Sequence, residues 1–240
     1  MKKIIIIFTL AAISFVGVVL LVINHFPNLG NTMASNFNSD DTSDSEVTVI
    51  ENTISSEDET SIISIVKPEI HGLIDKQVEY EINKKISDYN AEIMEIKLSA
   101  EEYLEDMKQY DIPVSKSVLN MDYKLIEAGD LVSIVITIRT YIGSATDMSR
   151  VMSVNIINEP EGKQVSISDI FDVNSLNHLI LQHMNNNKEN YSTFSTGELT
   201  FQSVREDQAF YIENNTLYIL FNKYEIAPGA GEIQTIAIPL

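Results

Sequence analysis

The sequence predicts an α+β fold: antiparallel sheet hairpins packed against one long and one shorter helix, after an N-terminal transmembrane helix. Three observations predict it. A charge-free apolar run opens the chain. An apolar stripe at helical spacing runs from Leu73 to Met107. Beyond it come segments of alternating apolar residues separated by turn sequences, with no βαβ repeat and no 20–50-residue period.

The opening run is Ile4 to Ile23, preceded by Lys2 and Lys3 and interrupted only by Thr9, Ser14 and Gly17. As a helix it is about 30 Å long, the thickness of a bilayer core. The lysines lie before it, and the next Lys or Arg is Lys67, which orients the N-terminus to the cytoplasm and the rest outside. Residues 1–24 are thus expected to be a transmembrane anchor or a signal. Their length favours the uncleaved anchor; a cleaved leader would be cut near Ala34 and the protein secreted. The expected location is the cell membrane, single-pass, with an extracytoplasmic C-terminal domain. Residues 25–61 hold eight acidic residues, from Asp40 to Glu59, and no basic one. Such a segment buries too little apolar surface to offset its ordering entropy, so an acidic disordered linker is expected. Asp40 to Glu46 lacks the spacing and glycine of a calcium loop.

Two α+β parts are expected after the linker, 62–150 and 151–240. Ser61 to Lys67 is short and β-branched and predicts a strand ended by Pro68. The stripe Leu73/Ile74, Val78, Ile82, Ile86, Tyr89, Ile93, Ile96, Ala100, Tyr103/Leu104 and Met107 predicts one long helix ending before Pro113. Leu119 to Thr140 predicts a hairpin. With Ala128-Gly129 as its turn, Leu125 faces Val132, Tyr123 faces Ile134, Met121 faces Ile136 and Leu119 faces Ile138, while Lys124–Ser133 and Asn120–Thr137 form a polar face. A second hairpin joins Val151–Ile157 to Gln164–Ile167 around residues 158–162. Ser168 or Asp169 begins a turn into a shorter helix, with Leu176, Leu179/Ile180 and His183/Met184 on its stripe. Asn214-Asn215 predicts a two-residue turn pairing Ile212 with Leu217, Phe210 with Ile219 and Tyr211 with Tyr218, and Glu232 to Ile238 forms the last strand.

Composition narrows the chemistry. The 240 residues carry 16 Lys+Arg against 35 Asp+Glu, a net charge of −19, with no Cys. Without Cys there is no disulfide framework, thiolate metal site or Cys nucleophile. The acid excess argues against nucleic-acid partners. Of the histidines, His178 and His183 are five apart and off a shared helix face, and His25 and His71 stand alone, so no metal site and no cofactor is expected. No nucleophile elbow, Walker loop or dinucleotide fingerprint occurs, and no catalytic residue is assigned. Two loops remain as binding candidates: Tyr141, Gly143, Thr146 and Asp147 in the segment after the apolar strand, and Tyr224 and Glu225 beside the Ala227-Pro228-Gly229 turn.

Lys223 to Gly231, with Leu217–Phe221 before it and Ile238-Pro239 after it, resembles the C-terminal signature of an extracellular bacterial domain of unknown function. That domain forms the outer half of RsiV-type anti-sigma factors and accompanies the catalytic domain of PdaC-type peptidoglycan deacetylases. Lys67–Gly72, the long helix and Val165–Phe171 are similar too, so the resemblance covers about residues 62–240. Where the family usually reads Gly-Gly-Ala-His-Gly, this chain has Gly143-Ser144-Ala145-Thr146-Asp147, without the His. The resemblance implies a non-catalytic binding or sensing domain, since the family's deacetylase chemistry lies in a separate domain. It also implies a lysozyme-like protein or cell-wall glycan as partner; the acidity would steer a cationic protein toward it. Three residues before the apolar run are too few to hold a cytoplasmic partner, so the anti-sigma role itself is not expected. The alternatives are a cell-wall (peptidoglycan) modifying enzyme or a structural component of the envelope.

Overall fold

A computed structural model describes residues 47–143, 147–157, 162–191, 201–226 and 232–240. The expected transmembrane helix and most of the expected linker lie outside these residues. Among the described residues, no helix is long and apolar enough to cross a membrane.

Among the described residues, two sheets and two main helices form the α+β fold. The larger sheet has six strands in chain order: β1 (Thr48–Glu57), β2 (Ser61–His71), β3 (Ser117–Ala128), β4 (Leu131–Tyr141), β5 (Met148–Ile157) and β6 (Lys163–Gln164). The smaller has β7 (Ala209–Glu213), β8 (Thr216–Phe221) and β9 (Gln234–Pro239). Helix α1 (Lys76–Gln109) connects β2 to β3. The one-turn α2 (Ile167–Ile170), α3 (Val173–Asn186) and α4 (Lys188–Tyr191) lie between the sheets in sequence.

Each long element has a local cause. The Asp75 carboxylate caps α1 by accepting from the Gln77 and Val78 N–H groups at 2.9 and 3.2 Å. The stripe Ile82, Ile86, Ile93, Ala100 and Leu104 is buried along the helix. Ser166 and Asp169 hold α2, with the Ser166 N–H donating to Asp169 Oδ2 at 2.7 Å. Asp172 then caps α3, whose Leu176, Ile180 and Met184 are buried. The shorter helix therefore starts after Asp172. Ser168 and Asp169 lie in the turn that leads into it, as expected.

Four expectations need correction. Residues 48–57, expected as linker, form β1, antiparallel to β2 from Thr48↔His71 to Glu57↔Ile62. Its ten residues are nearly all exposed, so an edge strand carries no apolar alternation to betray it. Side-chain links hold it instead: the Tyr123 hydroxyl donates to Glu51 at 2.8 Å, and Lys116 pairs with Glu57 at 2.6 Å. Second, Pro68 does not end β2. The β2–β3 pairing stops at Ile65↔Met121, so among the described residues Pro68 has β1 as its only strand neighbour, a place where its missing N–H is tolerated. Past that point the Asn83 amide of α1 acts as a neighbouring strand would, accepting from the Ile70 N–H at 2.8 Å and donating to the Ile70 carbonyl at 2.7 Å.

Third, β2 and β3 run parallel, Ser61↔Ser117 to Ile65↔Met121, with α1 as the crossover. One βαβ unit thus sits in an otherwise antiparallel sheet. Fourth, the β3–β4 hairpin turns at Gly129-Asp130, two residues off the expected register: Leu125 faces Ile134, Tyr123 faces Ile136, Met121 faces Ile138 and Leu119 faces Thr140. Gly129 takes the left-handed φ of 62° that the first central turn position needs. The Asn214-Asn215 hairpin has the expected register, both turn residues at positive φ (51° and 55°). Strand β5 continues across residues 150 and 151 and pairs along its length with β4, so the first sheet extends past the expected boundary between the two parts.

The larger sheet has two unlike faces. Leu119, Met121, Ile134, Ile136, Ile138, Val154 and Ile156 pack with Ile82, Ile86 and Ile93 of α1. On the opposite face, Ile126, Val135 and Val151 meet Ala209 and Leu220 of the smaller sheet. That sheet covers α3 with its other face, through Phe210, Leu217, Ile219 and Phe221. Strand β8 is therefore covered on both sides, and Tyr211 and Tyr218 stack at 4.6 Å between centroids. The free edge of β5 is stitched across: the Val151 N–H donates to Asn222 Oδ1 at 2.8 Å, and the Phe210 N–H to Ser153 Oγ at 2.9 Å.

Candidate functional site

Where the smaller sheet stops, the outer face of β3 and β4 lies open as a groove. Its floor alternates by the strand period: Val118, Asn120, Asp122 and Lys124 from β3, and Thr137, Arg139 and Tyr141 from β4. One part, of about 340 Å³, is walled by Tyr211, Leu220 and Ile233. The other, of about 540 Å³, is lined by Val118, Asn120, Arg139, Tyr141 and Asp147. Asn120 and Arg139 line both parts and are direct cross-strand partners.

The cations of the groove differ in their commitments. Lys124 Nζ lies 3.0 Å from Glu213 and 5.3 Å from the Tyr211 ring centroid. Burial pushes the Tyr211 phenol above its ordinary pKa, opposed by Lys124 and aided by Glu213. Arg139 has no ion pair or hydrogen bond among the described residues, whereas Arg150 pairs with Glu92 and Arg205 with Asp207 and Glu225. The Asn120 amide donates to the Ser64 carbonyl at 3.2 Å.

The sequence-derived loop candidates fall around this groove in different roles. Tyr141 and Asp147 line it. The Tyr141 hydroxyl donates to the Gly143 carbonyl. Gly143 has φ 57°, and a Cβ there would lie 2.7 Å from Leu104 Cδ2 and 3.3 Å from the Ser115 carbonyl, so close approach to α1 requires glycine. Thr146 lies outside the described residues. Lys223 Nζ donates to the Asp147 carbonyl, which brings the two candidate loops together, and lies 5.1 Å from the Tyr224 ring centroid. Tyr224 is half exposed with φ 66°. Glu225 folds back to accept from the Asn222 N–H at 2.8 Å and also binds Arg205, so it braces its own turn. Arg139, Asn120, Asp122 and Lys124 were not among the candidates. A signal for Arg139 was present: it is the single charge in Leu131–Tyr141.

The histidines do not converge. His71 lies 3.3 Å from Glu69, His178 is exposed, and His183 Nε2 is 3.4 Å from the Tyr191 hydroxyl; His25 lies outside the described residues. Among the described residues, no group of three or more His, Asp or Glu is placed to hold a metal ion.

Comparison with known proteins agrees with the architecture. The solved structure of a DUF3298 family member from Bacteroides fragilis NCTC 9343 superposes with a TM-score of 0.54 at 16% identity, covering 81% of this chain and 90% of that one. At this identity the likeness is one of fold. A DUF3298 family protein from Pseudomonas aeruginosa PAO1 matches at 14% identity over the same shares, with a TM-score of 0.46. No curated protein matches the chain significantly. Residues 54–149 match the family model described as deacetylase PdaC, and residues 168–240 match the one described as a protein of unknown function, DUF3298. The folded part thus matches two family models in tandem, PdaC and then DUF3298, the pairing that its motifs resemble.

Proposed function

We propose that the chain is a non-catalytic binding domain, tethered outside the cell membrane by residues 4–23, which takes a cell-wall ligand in the groove of β3 and β4. The observation that supports this reading most is the groove itself. It is the open part of a sheet face otherwise covered by the smaller sheet, and its lining mixes an uncommitted guanidinium, an amide oxygen, a carboxylate and aromatic rings. That mixture suits a polar, partly apolar ligand such as a glycopeptide. The test is co-sedimentation of the full chain, in detergent, with purified peptidoglycan sacculi, while released acetate and reducing sugar are measured in the same tube. Saturable binding without product supports the reading. Turnover, or no binding, removes it.

A second reading has its own support. Apart from Lys2 and Lys3, the chain holds 14 basic against 35 acidic side chains, which would steer a cationic lysozyme-like protein toward it. Titration calorimetry against a cationic lysozyme at 50 and 300 mM salt separates the two. Steering requires affinity that falls steeply with salt.

A further inference from the structure

We infer that the part of the groove lined by Val118, Asn120, Arg139, Tyr141 and Asp147 is a site for a zwitterionic peptide end, with the ligand carboxylate on Arg139 and its ammonium on Asp147. This deepens the cell-wall reading and rests on it, because wall peptides present free carboxylates and amines. Three observations carry it. In a chain with 35 carboxylates, Arg139 stands in a groove without an ion pair or hydrogen bond among the described residues, while the other two arginines are paired. A guanidinium is a planar five-donor fork that matches a carboxylate two-to-two. The neighbours then sort by polarity. Asn120 spends one of its two amide protons on the Ser64 carbonyl and Tyr141 spends its hydroxyl proton on the Gly143 carbonyl, so Arg139 is the charged donor of this depression, with the second Asn120 proton and the Asn120 oxygen beside it. Asp147 lines the same depression, and among the described residues no ion pair joins it to Arg139, which leaves both charges available to a ligand. Finally, a net charge of −19 disfavours a free anion but leaves a ligand of zero net charge unopposed.

The test uses the full chain in detergent, observing the arginine Nε–Hε resonances by NMR during titration with alanyl-alanine, its C-terminal amide and its N-acetyl form. Arg150 and Arg205 serve as internal controls. The expected result is a saturable shift of the Arg139 signal alone with the free dipeptide, at least tenfold weaker binding of the amide, and weaker binding of the N-acetyl form. Asp147→Asn should weaken the free dipeptide toward the N-acetyl form and leave the N-acetyl form unchanged. No Arg139 shift, equal shifts with all three probes, or parallel movement of all three arginines would overturn the site. Sacculus binding that survives Arg139→Gln would sink this inference and leave the binding-domain reading standing. Failure of wild-type sacculus binding would sink that reading while the Arg139 titration still decides the site.

Discussion

The two faces of the six-stranded sheet are built from the same strands and solve different problems. The inner face is continuous: alternate residues of β3, β4 and β5 share one core with α1, and Ile65, Leu119, Met121, Ile134, Ile136 and Ile156 have no exposed surface. The outer face is divided. Ile126, Val135 and Val151 are sealed by the smaller sheet, whereas Asn120, Asp122, Thr137 and Arg139 remain accessible in the groove. A single strand can thus carry the main core on one side and a recognition surface on the other, because adjacent side chains point in opposite directions. The inner face should therefore dominate stability. Ile136→Ala removes a side chain packed between strands and helix and should cost about 2–5 kcal/mol, read as a lower urea midpoint at unchanged slope.

Gly143 joins the two faces. It lies just past β4, where the chain leaves the groove and passes against α1. Gly143→Ala must hold φ 57° and displace Leu104, at about 1–2 kcal/mol from the left-handed conformation alone. Equal stability of the variant and wild type would show that the loop can lift off the helix without cost.

How much of this was legible depends on which signal each element left. Both faces of β3 and β4 could be read from alternation, yet the register could not. A shift of two residues keeps every side chain on its face, so Tyr123 opposite Ile134 and Tyr123 opposite Ile136 look equally apolar. Turn chemistry breaks such ties. Asn214-Asn215 has one two-residue solution, and its register followed. Ala128-Gly129-Asp130 allows Gly129 to serve in either central position. Strand β1 left no signal because edge position and side-chain links, not burial, make it a strand. The parallel β2–β3 pair was hidden for a related reason: only five residues pair, too few to form a continuous buried run. As for the groove, its loops were noticed by their small residues. Its floor was passed over because a lone Arg139 in an apolar strand looks like an ordinary solvent-facing position until the second sheet is seen to stop short of it.

The tight turn between β1 and β2 offers a smaller, pH-dependent test of what makes the exposed edge a strand. Burial alone would raise the Asp58 pKa. Donors from the Thr60 and Ser61 side chains and N–H groups outweigh it and hold the value at about 2, against 3.8 for an unperturbed group. A depressed acid stabilises the fold above its unfolded value, and that contribution fades as pH falls from about 4 toward 2. Acid titration of Asp58→Asn should therefore show a shallower loss of stability across this window than wild type, with hydrogen exchange of β1 the most sensitive readout. Superimposable curves would mean that the turn donors do not depend on the charge.

The smallest expected effect sharpens the comparison most. Arg139→Gln lies on the same outer face as Val135, four residues along one strand, but beyond the cover of the smaller sheet. With no partner among the described residues, its loss should leave stability within about 0.5 kcal/mol of wild type, while ligand binding in the groove falls. Val135→Ala should do the reverse, at a cost of order 1–2 kcal/mol with binding kept in the Arg139–Asp147 part of the groove, which Val135 does not line. If Arg139→Gln instead lowers the urea midpoint as much as Val135→Ala does, the open part of the face is structural, and the division of this sheet into core and recognition surface is wrong at the place where it matters for function.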